Sequence, residues 1–106
     1  MDIATKVELS KLYEVYANNL TDKQKQIIDF CVLQDLSLGE VSDLLDISRQ
    51  AVKYTLDNAI SSMLKLEQEL KILDKFQGVK HKLTNLLKLT NDDNLKQEIN
   101  KILEEL

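Results

Sequence analysis

Side chains that could contact nucleic acid are concentrated between residues 48 and 58. Arg49 and Gln50 are adjacent, and Lys53, Tyr54 and Asn58 follow within the next nine residues. In the DNA major groove, Arg pairs with the edge of guanine and Gln with the edge of adenine. If this segment is a helix, its outer face carries these five side chains, and the chemistry we expect of them is base and phosphate recognition.

Four other residues bear on that prediction. Ser48 could cap the helix and also reach a phosphate, and Lys23 and Lys25 could contact phosphate from a preceding helix. Asp57 would lie on the same outer face and repel phosphate. The simpler alternative is that a Ser-Arg-Gln start merely makes a well-capped, soluble helix.

The elements that must position these side chains are two consecutive capped helices. Ser37 followed three residues later by Glu40 is a capping box, and Val41 and Leu44 then provide an apolar face. Asp46 breaks this short helix, and Ser48 caps the next one. A short helix, a tight turn and a longer helix over residues 37–60 predict a helix-turn-helix, whose second helix enters the major groove in DNA-binding proteins.

Helical patterns extend over the rest of the chain. We predict helices over residues 2–18, from a capping box at Thr21 to about Leu33, and from Arg49 to as far as Gln77. A strand is the alternative over the β-branched run at 27–33. A short helix around residues 83–87 and a last helix capped by Asn91 or Asn94 complete the prediction.

Composition supports an all-α protein of one domain. The 106 residues include two Gly and no Pro, so little in the chain interrupts helices. We predict a helix-turn-helix core without a wing over residues 1–62 and a helical extension over residues 63–106. The apolar stripe of the extension must be covered by folding back or by a second copy, and we favour a homodimer.

The same composition argues against an enzyme. The single cysteine, Cys31, lies in an apolar run and is expected to be an inert core thiol, while His81 is expected at the surface. No glycine-rich phosphate loop or cluster of metal ligands is present, so we expect no cofactor and no metal. The net charge of −4 counts against nucleic-acid binding by the whole chain.

Nothing in the sequence predicts a membrane protein. The first residues lack a basic start followed by an apolar stretch, and no apolar run approaches the roughly 20 residues of a membrane span. We expect a cytoplasmic location.

Three segments in this order resemble a known family: Leu20-Thr21-Asp22-Lys23-Gln24, Asp35 to Val41, and Ile47 to Val52. They are similar to the YlxM, or UPF0122, family of helix-turn-helix proteins, whose middle is similar to region 4 of sigma factors. Residues 73–76 also match the family pattern. Two departures are Asp46, where many such turns have Gly, and a less basic outer face over residues 53–60.

The resemblance implies a regulatory role associated with the signal recognition particle (SRP), because genes of the family commonly neighbour that of its GTPase. Possible partners are then DNA or SRP RNA. The alternative is a protein–protein adaptor that binds the SRP GTPase or the ribosome and uses the helix-turn-helix only as a scaffold.

Overall fold

The computed structural model describes residues 1–106 and contains six α-helices and no strand. The predicted all-α fold class is confirmed. The helices divide into two compact units, residues 1–70 and residues 71–106. The helices of the first unit are α1 (Ile3–Tyr16), α2 (Asp22–Ile28), α3 (Leu38–Leu45) and α4 (Arg49–Leu70); those of the second are α5 (Ile72–Leu89) and α6 (Asp93–Glu105).

Side-chain caps start the helices of the first unit. The hydroxyls of Thr21 and Ser37 each accept a hydrogen bond from the backbone N–H three residues ahead. In return, the side-chain oxygens of Gln24 and Glu40 accept hydrogen bonds from the backbone N–H of the cap residues. Both predicted capping boxes are therefore formed, and two otherwise unpaired N–H groups are satisfied at each helix start.

The core of residues 1–70 is centred on α4, which packs against α1, α2 and α3. One face of α4 is buried, and so are most of the apolar residues that follow Thr21 in α2 and the π-helical turn Asp29–Leu33. No strand forms over the β-branched run. The buried residues of α2, its π turn and α4 are Ile27, Ile28, Cys31, Val32, Val52, Leu56, Ala59 and Met63.

Cys31 is one of these core residues. Its side chain is buried, and burial raises the pKa of the thiol above its usual value because the thiolate would lose its hydration. The thiol form therefore prevails at neutral pH, as the sequence suggested for a core cysteine.

The prediction that the helix starting at Arg49 extends as far as Gln77 is wrong. The helix stops at Leu70, because Lys71 adopts the left-handed conformation (φ 54°, ψ 33°), and α5 begins at Ile72. Gly78, the expected stop, lies inside α5. Lysine is a good helix former, so no local signal marks this break.

Residues 71–106 form a helical hairpin. The three residues 90–92 join α5 to α6, and the two helices contact each other. The cap of α6 is Asp92, whose carboxylate accepts the N–H groups of Asn94 and Leu95 at 2.9 and 3.2 Å. The predicted caps Asn91 and Asn94 are wrong, because several cap-forming residues compete in one short polar loop and the helix starts one residue after Asp92.

None of the six helices is long and apolar enough to cross a membrane.

Candidate nucleic-acid interface

The turn between α3 and α4 sets the direction of the candidate recognition helix. Asp46 ends α3 in the left-handed conformation (φ 54°, ψ 46°), and Ile47 and Ser48 complete a turn of three residues. The Ser48 hydroxyl accepts the N–H of Ala51 at 3.0 Å, which caps α4. The helix-turn-helix predicted over residues 37–60 is present.

Ser42 closes the turn from inside α3. Its hydroxyl donates to the carbonyl of Ile47 at 2.5 Å, while its own carbonyl accepts the N–H groups of Asp46 and Ile47. Three hydrogen bonds thus tie the turn to a single residue of α3.

The side chains predicted to read bases lie together on the exposed side of α4. Gln50, Tyr54 and Asn58 are exposed, and 70% of the Tyr54 surface is accessible. Val52 and Ala59 are buried on the opposite side. The outer face of α4 therefore presents two amide side chains and a phenol to solvent.

Arg49 is exposed but lies back against the first turn of α3. A Cβ atom placed on Gly39 would lie 3.0 to 3.2 Å from three guanidinium atoms of Arg49, a distance at which one group must shift. The guanidinium therefore lies in tight contact with the space that a side chain at position 39 would occupy.

Lys53 is partly neutralised by its own helix. Its ammonium group lies 2.8 Å from the carboxylate of Asp57, and both side chains are more than half exposed. Such an exposed pair one helical turn apart contributes only a few tenths of a kcal/mol, so a phosphate could compete for the lysine.

Two lysines at the start of α2 complete the predicted set. Lys23 is exposed and Lys25 half-buried, and the carbonyl of Lys25 accepts a long hydrogen bond (3.5 Å) from the Tyr13 hydroxyl. These two side chains belong to α2, and the other six predicted residues lie between Ser48, the cap of α4, and Asn58; all eight are in one compact unit.

The charge of the first unit opposes nucleic-acid binding. Residues 1–70 contain seven Lys and Arg against twelve Asp and Glu, whereas residues 71–106 contain seven and six. In α3, Glu40 and Asp43 are exposed and there is no basic residue. Any nucleic-acid contact therefore needs close, directed bonds from α4 more than long-range attraction.

The chain that contains this helix-turn-helix matches a known family. The model of the helix-turn-helix proteins described as YlxM / p13 like covers residues 3–105. The chain belongs to the UPF0122 family. This finding confirms the resemblance seen in the three sequence segments.

Relatives in the UPF0122 family align over nearly the whole chain. A UPF0122 protein of Thermoanaerobacter sp. (strain X514) is 41% identical over 92% of this chain and 86% of its own length. One from Staphylococcus epidermidis is 35% identical over 99% and 96%. YlxM of Bacillus subtilis is 30% identical over 100% and 96%.

Three features of this candidate interface were not predicted from the sequence: the hydrogen bonds of Ser42 that close the turn, the position of Arg49 beside Gly39, and the ion pair of Lys53 with Asp57. The four-residue spacing of Lys53 and Asp57 was a usable signal for an ion pair. No cluster of three or more His, Cys, Asp or Glu side chains that could hold a metal is present in residues 1–106.

Proposed function

We propose that this UPF0122 protein is a regulatory, non-enzymatic nucleic-acid-binding protein of the cytoplasm that acts as a homodimer. The observation that carries the proposal is the exposed face of α4, with Arg49, Gln50 and Tyr54 behind a firmly closed turn. The remaining proposed contacts are Ser48 at the cap of α4, Lys53 and Asn58 on α4, and Lys23 and Lys25 on α2. The ligand is DNA or SRP RNA, and the family resemblance supports a part in the SRP pathway.

The main competing function is that of a protein–protein adaptor. The acidic balance of residues 1–70 and the pairing of Lys53 with Asp57 favour it, because both weaken attraction to phosphate. In this case the helix-turn-helix is a scaffold, and the partner is the SRP GTPase or the ribosome.

Salt-dependent binding tests the proposal. The full chain is titrated with duplex DNA, and separately with SRP RNA, at several salt concentrations. For duplex DNA, log Kd should change linearly with log salt, with a slope magnitude of about 0.9 per phosphate contact. Substitution of Arg49 and Lys53 by Glu should abolish this binding.

The Lys53–Asp57 pair suggests a second test, with a variant that should bind nucleic acid more tightly. Asp57→Asn removes a phosphate-repelling charge and frees Lys53, so it should strengthen binding several-fold. The matched control is Glu69→Gln, which makes the same change in net charge near the end of α4. If both substitutions act equally, only net charge matters and α4 is not the contact surface.

The adaptor function predicts a different pattern. Purified SRP GTPase or ribosomes would then bind the nuclease-treated protein, and Glu at positions 49 and 53 would leave that binding unchanged. Absence of binding to any duplex or to SRP RNA at low salt would reject the nucleic-acid proposal.

A further inference from the structure

The hairpin of residues 71–106 buries very little of its own surface. No residue of α5 is buried, and Ile99 is the one buried residue of α6. The hairpin contains no cysteine and no cluster of metal ligands. Units of fewer than roughly 40 residues usually need a disulfide, a metal or association with another chain to be stable. The hairpin therefore needs a further apolar partner surface.

One stripe of α5 combines two lysines with three exposed apolar side chains. Lys75, Val79, Lys82, Leu86 and Leu89 follow each other at alternating steps of four and three residues, so they lie on one face of the helix. The three apolar side chains are 47%, 51% and 82% exposed. Neither lysine forms an ion pair within the chain.

A matching stripe on α6 alternates glutamate with exposed apolar side chains. Leu95, Glu98, Ile102 and Glu105 follow at steps of three, four and three residues. Leu95 and Ile102 are 48% and 45% exposed. The carboxylate of Glu98 lies 3.3 Å from the ammonium group of Lys101, and both side chains are about two-thirds exposed, so it remains available to another cation.

The two stripes lie on the same side of the hairpin. Viewed along the axis of α5, the more covered positions, such as Leu83 and Leu87, lie beside the stripe in the direction in which the chain winds around the helix. In α6 the buried Ile99 lies beside its stripe in the same winding direction. Because the short connection makes the two helices run in opposite directions, these equal rotations place both stripes on one face.

We propose that this face binds the same face of a second copy of the chain, forming a four-helix bundle. The arrangement has a two-fold axis along the bundle, so that α5 of each protomer packs against α6 of its partner. The lysine stripe then faces the glutamate stripe, and the half-exposed apolar side chains meet between them. Pairing α5 with α5 would instead oppose lysines with lysines, so charge selects the first arrangement.

The face is large enough for a small interface. The 13 residues of α6 extend about 20 Å, and two packed helices are roughly 20 Å wide, so the projected face is roughly 400 Å². This projection is about half of the roughly 800 Å² per partner that is typical of stable interfaces, and interlocking side chains bury more accessible area than the projection.

Charge reversal in the full chain, without nucleic acid, tests the interface. Sedimentation equilibrium of the unaltered protein should give twice the chain mass of 12.2 kDa. Lys75→Glu with Lys82→Glu should raise the dimer Kd by about tenfold or more, because four favourable pairs become repulsive. Glu98→Lys with Glu105→Lys should do the same.

Combining all four substitutions should restore the dimer, because the charges are then exchanged between the stripes. The matched control is Lys80→Glu with Lys88→Glu, which changes the charge of α5 equally but outside the stripe, and should leave Kd nearly unchanged. Restoration also excludes misfolding as the cause of the first losses.

An apolar variant provides an independent test. Leu86→Asp should yield monomers, whereas Leu64→Asp, a substitution of a similarly exposed leucine of α4, should not. A monomeric unaltered protein at every concentration would overturn the interface and the proposed homodimer together. A dimer that ignores both stripes would overturn the interface alone. Neither result bears on the α4 binding experiments.

Discussion

Single side chains hold the helix-turn-helix in shape. Glu40 closes the α3 capping box, Asp46 reverses the chain, and Ser42 ties the turn to α3. Each acts on backbone groups within five residues, so a substitution at any of them has a local and calculable effect.

At Glu40 we predict a pH-dependent stability. Hydrogen bonds from Ser37 lower the pKa of this carboxyl group in the folded chain. Its contribution is therefore complete above the ordinary Glu pKa and is lost as the pH falls through the lower, folded-state pKa. Glu40→Gln should remove this acid sensitivity, measured as the free energy of unfolding in urea at a series of pH values.

The α2 capping box provides the reciprocal control. Gln24 occupies the place of Glu40 there and does not titrate. Gln24→Glu should therefore add an acid-sensitive contribution of the same sign. Identical pH profiles for all three proteins would show that the capping carboxylate has no net effect.

At Asp46 we predict opposite effects for two substitutions. Gly adopts the left-handed conformation without the steric cost that other residues incur, so Asp46→Gly should raise the free energy of unfolding by about 0.5–1 kcal/mol. Asp46→Val should lower it by about 1–2 kcal/mol, because a β-branched side chain crowds this conformation. Urea unfolding curves measure both, and equal midpoints would contradict a strained turn.

At the scale of elements, α4 serves two surfaces at once. Its inner face belongs to the core of residues 1–70, and its outer face carries the proposed contacts. The core extends along α4 to Met63, which has no exposed surface, while the adjacent Leu64 is 53% exposed. A helix packed this far along its length can present its first turns in a fixed direction.

This contrast yields a paired prediction. Met63→Ala should lower the free energy of unfolding by about 2–4 kcal/mol, because it removes buried atoms and leaves a cavity. Leu64→Ala should change it by no more than about 0.5 kcal/mol. Thermal or urea unfolding of the full chain measures both values. Similar losses at the two positions would mean that α4 is buried differently.

At the scale of the whole molecule, the two units differ in how many apolar residues they bury. The buried apolar residues lie in residues 1–70, with the exception of Ile99. The hairpin has the exposed apolar stripes, and the first unit has the excess of acidic residues. The proposed self-association and the proposed nucleic-acid contact therefore involve different units of the same chain.

Truncation tests this division. A fragment of residues 1–70 should unfold cooperatively, as measured by circular dichroism, because it retains its whole core. A fragment of residues 71–106 should be largely unfolded when dilute and become helical as its concentration rises. A hairpin that is fully helical at every concentration would contradict its need for a partner.

Local chemistry made parts of this protein predictable. The capping boxes at Thr21 and Ser37, the Ser48 cap and the break at Asp46 all follow from bonds or conformational preferences within a few residues. The same patterns predicted that Gln50 and Tyr54 would be exposed on α4. These features needed no knowledge of distant parts of the chain.

The sequence by itself thus determined the starts of α2, α3 and α4, the helix-turn-helix and the candidate face of α4. Only the tertiary structure decided the end of α4 at Lys71 and the position of Arg49 against Gly39. The physical reason is the distance along the chain over which the deciding interactions act. A cap is chosen by side chains three residues apart, whereas a lysine in a left-handed conformation and an arginine folded against another helix depend on how whole helices pack.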